Sequence, residues 1–386
     1  MNVHKLGKCL RSLVGYHARI LLASFGLLAT PLHAADDSPA VYTGTVGAAR
    51  VVMELDDSDG DVTGRYFYRK YRLDIGLNGS WKSDTLALES RTSGDRLTLR
   101  RAGSGLAGWL VTSKGRRVSV SLSETTAISP APAGLVDLSP YDRAQLAGLS
   151  LVPGAVIQDG TRSLRTWREP VSGITLFRID SGYPPPVLHK INAALERQQW
   201  QQVSQWFSCE GFAGKPGMEV SEARAPYTSD DFVSYVWFGS WSCAGTAHPD
   251  FGSQGFTFDA RTGRELQLED LLYFGTEPVP EADTSAFYAY RSEVFAPHVV
   301  TLLQKLYPQE MQPAAGNPEE DECDYTDPSV WDFPSWHLTP QGLYAGAYFA
   351  RAQRPCDEPE WSIIPWQHLS WRKDGSGAAT TTPTTP

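Results

Sequence analysis

Short runs in which hydrophobic and polar residues alternate fill the chain between residues 41 and 123. Seven such runs are separated by segments that contain turn residues such as Gly, Asp, Ser or Asn: RVVMEL, VTGRYFY, RLDIGL, DTLALES, DRLTLR, AGWLVTS and RVSVSL. Alternation with a period of two places every second side chain on the same face of a strand. The pattern therefore predicts an all-β domain over residues 36–125, folded as an antiparallel meander, a barrel or a small sandwich.

The composition changes after residue 125. Residues 126–165 contain the segment SPAPAG, which is typical of a linker, and a short run that favours a helix. Residues 166–372 then mix strand patterns, such as GITLFRID and FVSYVWFGSW, with longer helical patterns. Strands mixed with long helices predict an α+β domain over these residues.

Two helices are predicted inside the second domain, at residues 187–207 and 287–306. Pro297 should kink or split the second helix, because proline lacks the backbone N–H that a helix interior uses. Near the end of the domain, PSWHLTPQGLYAGAYFA predicts a hairpin and WSIIPWQHLSW a final strand. Pro365 interrupts that strand and favours a place at a sheet edge.

One stretch, FTFDARTGRELQL, concentrates charged residues and resembles a site of chemistry at first reading. However, Phe256 and Phe258 alternate with polar neighbours, as do Leu266 and Leu268. Gly263 lies between the two runs, where a left-handed turn residue is needed. The stretch therefore predicts a hairpin that leads into a short helical turn, with structural roles for its carboxylates.

The N-terminal 34 residues have the pattern of a secretory signal peptide. An apolar run at residues 20–32 follows a basic region and precedes small residues that suit cleavage after Ala34 or Ala35. We therefore expect residues 1–34 to be removed and the mature protein to be periplasmic or secreted. An uncleaved membrane anchor is the alternative. No later segment has enough apolar residues to span a bilayer, and residues 373–386 predict a disordered tail.

The mature chain is acidic. The full sequence has 34 Lys and Arg against 44 Asp and Glu, and residues 1–34 contain four of the basic residues and no acidic residue. Removal of this segment leaves 30 basic against 44 acidic residues, a net charge of −14. Such a charge repels nucleic acid and anionic membranes and attracts a cationic partner. Solubility is the alternative use of this charge.

Four cysteines follow the predicted signal peptide, an even number that favours disulfides in an exported chain. Among the three pairings, we predict Cys209–Cys243 and Cys323–Cys356, because these close the shortest loops. A metal site is the alternative, but no two of these cysteines have C-x-x-C spacing and no histidine lies three or four residues away. We therefore predict no metal and no cofactor.

Several motifs in the second half resemble those of a known family. GTAHPDFGSQGFTFDARTGRELQLEDLL resembles the G-x-x-HP … T-x-D-x-x-TG-x-x-L-x-L-x-D-L signature of the RsiV-type C-terminal domain. FRIDSGYPPPVLHKINAAL resembles the strand, proline turn and helix of the PdaC-type domain that precedes it. WHLTPQGLYAGAYFA and SIIPWQHL resemble the closing hairpin and strand of the family. The resemblance spans about residues 166–372.

This resemblance implies an extracytoplasmic α+β domain that binds rather than catalyses. RsiV itself is a membrane anti-sigma factor whose outer domain binds lysozyme, and PdaC carries a separate polysaccharide-deacetylase domain. This chain departs from both, because it has neither an anti-sigma region nor a deacetylase metal motif. The resemblance therefore implies binding to lysozyme or another cationic envelope protein, and neither transcriptional signalling nor deacetylation.

Candidate binding residues come from the motif HPD and from tryptophan, since ten of the twelve tryptophans lie between Trp167 and Trp371. Tryptophan binds sugars and anchors protein interfaces, although most tryptophans fill cores. Trp331 and Trp336 flank an irregular acidic, proline-rich stretch and are the surface candidates. His248 and Asp250 complete the predicted binding set.

Catalysis has less support from the sequence. The chain contains no H-E-x-x-H, no G-x-S-x-G and no phosphate-binding loop. Asp250, Asp259, Glu265, Glu269 and Asp270 could supply a glycosidase pair, but hairpin and helix-start roles account for them. We therefore expect a non-catalytic binding protein. A cell-wall module that binds peptidoglycan and a glycan-active hydrolase are the alternatives.

Overall fold

The computed structural model describes residues 39–57, 60–127, 129–132, 134–276, 278–312 and 323–372. The predicted signal peptide at residues 1–34 and the predicted tail at residues 373–386 lie outside these ranges. Strands predominate, so the described chain is mostly β. No helix within the described ranges is both long and apolar enough to cross a membrane.

The predicted all-β region forms a closed antiparallel barrel in which eight strands follow one another in sequence. Its strands are β1 Ala40–Val46, β2 Ala49–Asp56, β3 Asp61–Tyr68, β4 Ile75–Lys82, β5 Thr85–Glu89, β6 Arg96–Ala102, β7 Gly105–Val111 and β8 Arg117–Glu124. The alternating pattern predicted seven of these strands and missed β1. The prediction of an N-terminal β-barrel-like fold is confirmed.

The missed strand β1 closes the barrel, because it pairs with β2 on one side and with β8 on the other. Gly44 lies directly against β8, where a Cβ atom would be 2.0 Å from the carbonyl oxygen of Ser121. Any side chain at this position would push the two strands apart. Buried side chains from all eight strands fill the interior, so the barrel contains a packed core.

The residues described after the barrel form helices and strands of very different length. They are α1 Pro140–Leu146, β9 Val152–Asp159, β10 Arg162–Arg168, β11 Thr175–Ser181, α2 Pro185–Ser208, β12 Met218–Thr228, β13 Phe232–Trp241, β14 Asp250–Asp259, α3 Ser285–Tyr290, α4 Ala296–Leu306, β15 Ser335–Thr339, β16 Gly342–Gly346 and β17 Ile363–Pro365. Strands β10 and β12 were not predicted. The final strand β17 has three residues and lies at a sheet edge, as Pro365 indicated.

Strands β9 to β17 make three antiparallel sheets, with the orders β11–β10–β9, β12–β13–β14 and β15–β16–β17. Ile191 of α2 shares one hydrophobic core with Ile179 of β11 and Tyr235 of β13. A second core combines α4, the third sheet and the fully buried indoles of Trp331 and Trp371. Helix α2 therefore stabilises the first two sheets, and the tryptophan-rich core stabilises the third.

The segment with linker-like composition, residues 126–165, contains α1, β9 and part of β10. Strand β9 pairs with β10, yet every residue of β9 is exposed. A strand with no buried face has no alternating hydrophobic pattern. The sequence VPGAVIQD therefore fits a loop as well as a strand, and the pairing with β10 decides between them.

The run RELQL, which was predicted as a second hairpin strand, forms only an isolated bridge between Phe258 and Glu265. The chain turns away soon afterwards because Gln267 and Asp270 form a capping box that starts a 3-10 helix at Leu268–Asp270. The predicted hairpin is therefore shortened to a turn, while the predicted helical turn after it is present.

Pro297 coincides with an irregularity in the predicted second long helix. A π-helical segment, Arg291–Phe295, joins α3 to α4, and Pro297 lies in the first turn of α4. Phe295 and Ala296, just before the proline, keep helical φ and ψ angles. The predicted interruption is therefore present as a change of helix type, and the helical backbone is not split.

Both predicted disulfides are present. Cys209 pairs with Cys243 at a Cα–Cα distance of 5.0 Å, and Cys323 pairs with Cys356 at 5.4 Å. Disulfides persist in oxidising compartments and are rare in the reducing cytoplasm. The pairing is therefore confirmed and agrees with a protein that lies outside the cytoplasm.

A buried polar cluster joins the barrel to α1. Asp74 is 5% exposed and accepts hydrogen bonds from the Tyr141 hydroxyl at 2.8 Å and from Gln145 Nε2 at 2.6 Å. Arg65 of β3 lies 3.3 Å from Asp74 and 3.0 Å from Asp142. Burial raises the pKa of Asp74 to about 6, against the opposing effect of Arg65, so the carboxylate is ionised at neutral pH. Asp74 therefore serves as the common acceptor for donors from the barrel and from α1.

We predict that Asp74→Asn destabilises the protein by about 1–3 kcal/mol, because the new amide places a donor against buried donors. Asp84→Asn is the control, since the Asp84 side chain on the same barrel is 77% exposed. The control should change the free energy of unfolding by less than about 0.5 kcal/mol. Urea denaturation at pH 7.5 measures both effects, and equal losses would contradict this role of the cluster.

Because the imidazole of His337 is buried, we predict that the folded protein loses stability in acid. Burial lowers its pKa to about 4 from an ordinary value of 6.5, so the unfolded chain binds more protons between these two values. The contribution of this imidazole to the free energy of unfolding is complete above pH 6.5 and decreases as the pH falls towards 4. The total change is about 3 kcal/mol. His337→Gln should remove most of this pH-dependent loss.

Chemical denaturation between pH 7 and pH 4.5 measures this slope. Exposed His368 supplies the matched control, and His368→Gln should leave the slope of the wild type unchanged. If His337→Gln retains the wild-type slope, the buried imidazole does not cause the acid sensitivity.

Candidate functional site

A polar groove with a cavity volume of about 380 Å³ lies between β14, β15 and the chain segment that follows β16. We call it the acidic groove and define it by its charged, hydroxyl and aromatic lining residues: Ser253, Glu265, Phe333, Ser335, Trp336, Tyr348, Arg354, Asp357 and Glu358. These residues come from four separate stretches of the chain, so the groove exists only in the folded protein.

Gly255 brings β14 directly against β15. A Cβ atom at this position would be 1.4 Å from the carbonyl oxygen of Trp336, so no side chain fits there. Ser234 of β13 strengthens the same contact, because its hydroxyl accepts a hydrogen bond from the Leu338 N–H at 2.9 Å. One wall of the groove therefore rests on direct packing of the second sheet against the third.

Arg354 organises a second wall. Its buried guanidinium lies 3.3 Å from Asp250 and 2.8 Å from Asp357. It also lies over the rings of Phe251 and Tyr348, at 4.8 and 4.4 Å from their centroids, and donates to the carbonyl oxygen of Phe251. Two carboxylates thus share one cation, so this wall keeps a negative charge.

The disulfide between Cys323 and Cys356 anchors the segment that carries this wall. The Tyr325 hydroxyl donates to the carbonyl oxygen of Cys356 at 2.9 Å, which fixes the backbone beside the disulfide. Asp357, the next residue, accepts a hydrogen bond from the Phe349 N–H at 2.6 Å. Burial raises the pKa of Asp357, and this hydrogen bond opposes the increase.

Glu358 has an unusual backbone conformation. Its φ of 55° lies in the left-handed region that favours glycine and costs other residues free energy. Its carboxylate accepts hydrogen bonds from the hydroxyls of Ser253 at 2.8 Å and Ser335 at 3.3 Å. Both donors are neutral, and no cation among the described residues forms an ion pair with Glu358. The groove therefore holds a carboxylate whose residue has a strained backbone and whose charge has no counter-ion in the described part of the chain.

Glu265 adds a further carboxylate to the groove. Burial raises its pKa, while Arg197 at 4.0 Å opposes this increase. The two side chains are 38% and 40% exposed, so solvent screens their attraction strongly. Glu265 and Glu358 therefore both line the groove without a strong counter-ion.

Exposed aromatic rings surround these carboxylates. Phe333 and Tyr348 line the groove and are 48% and 58% exposed. Tyr288 is 49% exposed and packs edge-on against Phe333, with 5.7 Å between the ring centroids. Large apolar rings rarely cluster on a protein surface unless the surface contacts something. The groove and these rings together form a surface suited to binding.

The structure places two of the four predicted binding residues at this surface. Trp336 is half-buried and lines the groove, and Asp250 pairs with Arg354 in its wall. His248 is half-buried outside the groove lining, with Nδ1 3.2 Å from the carbonyl oxygen of Pro249. The binding roles of these three residues remain predictions.

The expectation that Trp331 lies on the surface is wrong. Its side chain is fully buried, and its Nε1 donates a hydrogen bond to the carbonyl oxygen of Tyr325 at 2.9 Å. The ring packs against Trp361 in the second core, with 6.3 Å between the ring centroids. Trp331 therefore fills the core, because its neighbours cover its apolar ring and accept a hydrogen bond from its indole N–H.

Three of the carboxylates considered for catalysis have structural partners, and the turn and helix-start roles apply to Asp259 and Asp270. Glu269 forms a buried ion pair with Arg291 at 2.7 Å. Asp270 receives two hydrogen bonds from Arg264, at 2.9 and 3.1 Å, and caps the 3-10 turn. Asp259 accepts from the Arg261 N–H at 2.8 Å. Of these acids, only Glu265 lines the acidic groove.

Sequence reasoning missed Arg354, Asp357 and Glu358. Their only local signal is the run RPCDEPE, in which acidic residues directly follow a cysteine. A cysteine in a disulfide fixes the position of its neighbours, so charged residues beside it are held in place. That signal identifies a constrained segment but gives no indication of which surface it faces.

Comparison with protein-family models and with curated proteins found no significant match for this chain. Within the described residues, no group of three or more His, Cys, Asp or Glu side chains is arranged to hold a metal ion.

Substitution of Glu358 measures the backbone strain in the groove. We predict that Glu358→Gly is about 1 kcal/mol more stable than Glu358→Ala, because glycine adopts a positive φ without penalty. Both variants lose the same side-chain hydrogen bonds, so the difference between their stabilities measures the cost of the positive φ. At exposed Glu360, which lacks a positive φ, the glycine variant should be no more stable than the alanine variant. Thermal denaturation of the four variants decides the point.

Proposed function

We propose that the protein is an exported, non-catalytic binding protein of the cell envelope that recognises a basic protein through the acidic groove. Lysozyme is the first candidate partner, because the motifs of residues 166–372 resemble those of the RsiV-type domain. On this proposal, residues 166–372 form a PdaC/RsiV-like α+β domain and the signal peptide directs the chain to the periplasm or the medium. The two disulfides support a place outside the cytoplasm.

The observation that carries the proposal is the uncompensated carboxylate of Glu358. Its partners Ser253 and Ser335 are neutral, so an arriving lysine or arginine side chain would meet an unpaired negative charge. A charge-assisted hydrogen bond of this kind is stronger than a bond between neutral groups. Glu265 gives the same groove a second acceptor of this type.

The exposed rings of Phe333 and Tyr348 supply the apolar part of the same surface. Interfaces commonly place a few aromatic anchors near charged residues, and those anchors carry much of the binding free energy. A cation also binds favourably over an aromatic face. The arrangement therefore suits a partner that presents a basic side chain beside an apolar patch.

The net charge of the mature chain supports the same choice of partner. At −14, the chain attracts basic proteins over distances comparable with the Debye length, about 8 Å at physiological ionic strength. This attraction increases the association rate and falls with salt. It gives no specificity by itself, so a specific partner must also fit the groove.

Calorimetric titration of the mature protein with lysozyme at moderate salt tests the proposal. We predict saturable one-to-one binding to lysozyme and no comparable binding to cytochrome c, a basic control protein of similar size. Equal binding to both proteins reduces the interaction to general electrostatics. No binding to either protein removes the proposed partner.

Two matched pairs of variants locate the interface. We predict that Glu358→Gln and Tyr348→Ala each weaken lysozyme binding by about tenfold or more. Glu89→Gln and Tyr71→Ala are the controls, because both residues are exposed on the barrel side of the chain and Tyr71 is 59% exposed. If the barrel variants weaken binding as much as the groove variants, the acidic groove is not the interface.

A further inference from the structure

A second cavity of about 590 Å³ lies away from the acidic groove, between the chain before β9, strands β10 and β11, and helix α2. We call it the tryptophan cavity and define it by the lining residues that bear on its chemistry: Trp167, Arg178, Asp180, Asn192, Glu196 and Trp200. Its volume accommodates a small organic molecule.

Arg178 is the buried cation of this cavity. It belongs to β11 and is only 6% exposed. Its guanidinium donates to the carbonyl oxygen of Phe177 and to Gln199 Oε1, both at 2.9 Å, and both acceptors are neutral. Burial lowers the pKa of Arg178 to about 10, against the opposing effect of Glu196, so the group is still a cation at neutral pH. A buried cation without an ion-pair partner costs several kcal/mol.

Gln199 holds this guanidinium in position. It is fully buried, and its Nε2 donates to the carbonyl oxygens of Trp167 at 2.6 Å and Ile174 at 3.1 Å. With both amide hydrogens committed, Oε1 is fixed as the acceptor for Arg178. The cation is therefore oriented before any ligand arrives, which lowers the entropic cost of binding.

Trp167 adds a donor that has no acceptor among the described residues. Its Nε1 is buried and has no hydrogen-bond partner in the described structure. A buried indole N–H normally finds an acceptor, so this group is available to one. Trp167 and the cation of Arg178 line the same cavity, so both favour a ligand with an anionic oxygen.

The remaining polar residues limit which anion fits. Asp180 and Glu196 also line the cavity, and Asp180 is partly neutralised by Arg165 at 3.0 Å. A ligand with several negative charges would be repelled by these carboxylates. A ligand with one carboxylate and one ammonium group instead finds a partner for each charge. Trp167 and Trp200 supply apolar surface for the portion of the ligand between its two charged groups.

We propose that the tryptophan cavity binds a small zwitterionic ligand of the amino acid or short peptide class. Its carboxylate pairs with Arg178 and accepts from Trp167 Nε1, and its ammonium group lies near Glu196 and Asp180. This site is separate from the acidic groove and does not depend on the lysozyme proposal.

Calorimetric titration of the mature protein with dialanine, in both its L and D forms, tests the site. At least one enantiomer should bind saturably, and the corresponding dialanine amide, which lacks the carboxylate, should bind at least about tenfold more weakly. N-acetyl-dialanine, which lacks the ammonium group, should lose less affinity than the amide. No saturable binding of either enantiomer at millimolar concentration, or equal binding of acid and amide, overturns the proposal.

Variants assign the two charged contacts. Arg178→Gln should abolish dialanine binding, and a thermal melt establishes whether this core variant is folded. Glu196 is half-buried at the cavity, so Glu196→Gln gives an independent test. It should weaken dialanine binding several-fold and leave N-acetyl-dialanine binding unchanged. Glu358→Gln in the acidic groove should bind dialanine like the wild type, and an unchanged affinity in Glu196→Gln contradicts the proposed contact.

Discussion

The contact between β14 and β15 at Gly255 is the constraint on which the second half of the protein depends. The strands approach so closely that a Cβ atom would overlap the carbonyl oxygen of Trp336. This approach brings the second sheet against the third, places Ser253 beside Ser335, and lets both hydroxyls reach one carboxylate, that of Glu358. The wall opposite is then fixed by a disulfide at Cys356. The groove is thus a consequence of sheet packing.

Both proposed sites follow from one physical feature, a charge that the fold positions but does not neutralise. In the acidic groove, Arg354 is shared by two carboxylates, while Glu358 is bound only by hydroxyls. In the tryptophan cavity the sign is reversed, since Arg178 is buried against neutral oxygens. A counter-ion within the fold would stabilise each of these charges. Because the fold supplies none, we infer that each charge is available to pair with a ligand.

Much of the architecture was predictable because it depends on local pattern. Period-two alternation identified seven barrel strands, and the even number of cysteines with their loop lengths gave both disulfides. The turn at Asp259 and the helix start at Asp270 were also predicted correctly, because turns and helix caps use near neighbours, whereas the second strand of that hairpin was not formed. Strand β1 and the exposed strand β9 were less predictable, since one is defined by its distant partner β8 and the other has no buried face.

The sequence by itself determined seven of the eight barrel strands, the export signal pattern, the acidic charge and the cysteine pairs, since these depend on composition, local alternation or loop length. Only the tertiary structure decided which surface residues meet. Trp331 and Trp336 are five residues apart with the same side chain, yet one is fully buried and the other lines the groove. Ser253 and Glu358 are 105 residues apart and share a hydrogen bond. Burial and long-range contact depend on how sheets pack, and no local pattern encodes that packing.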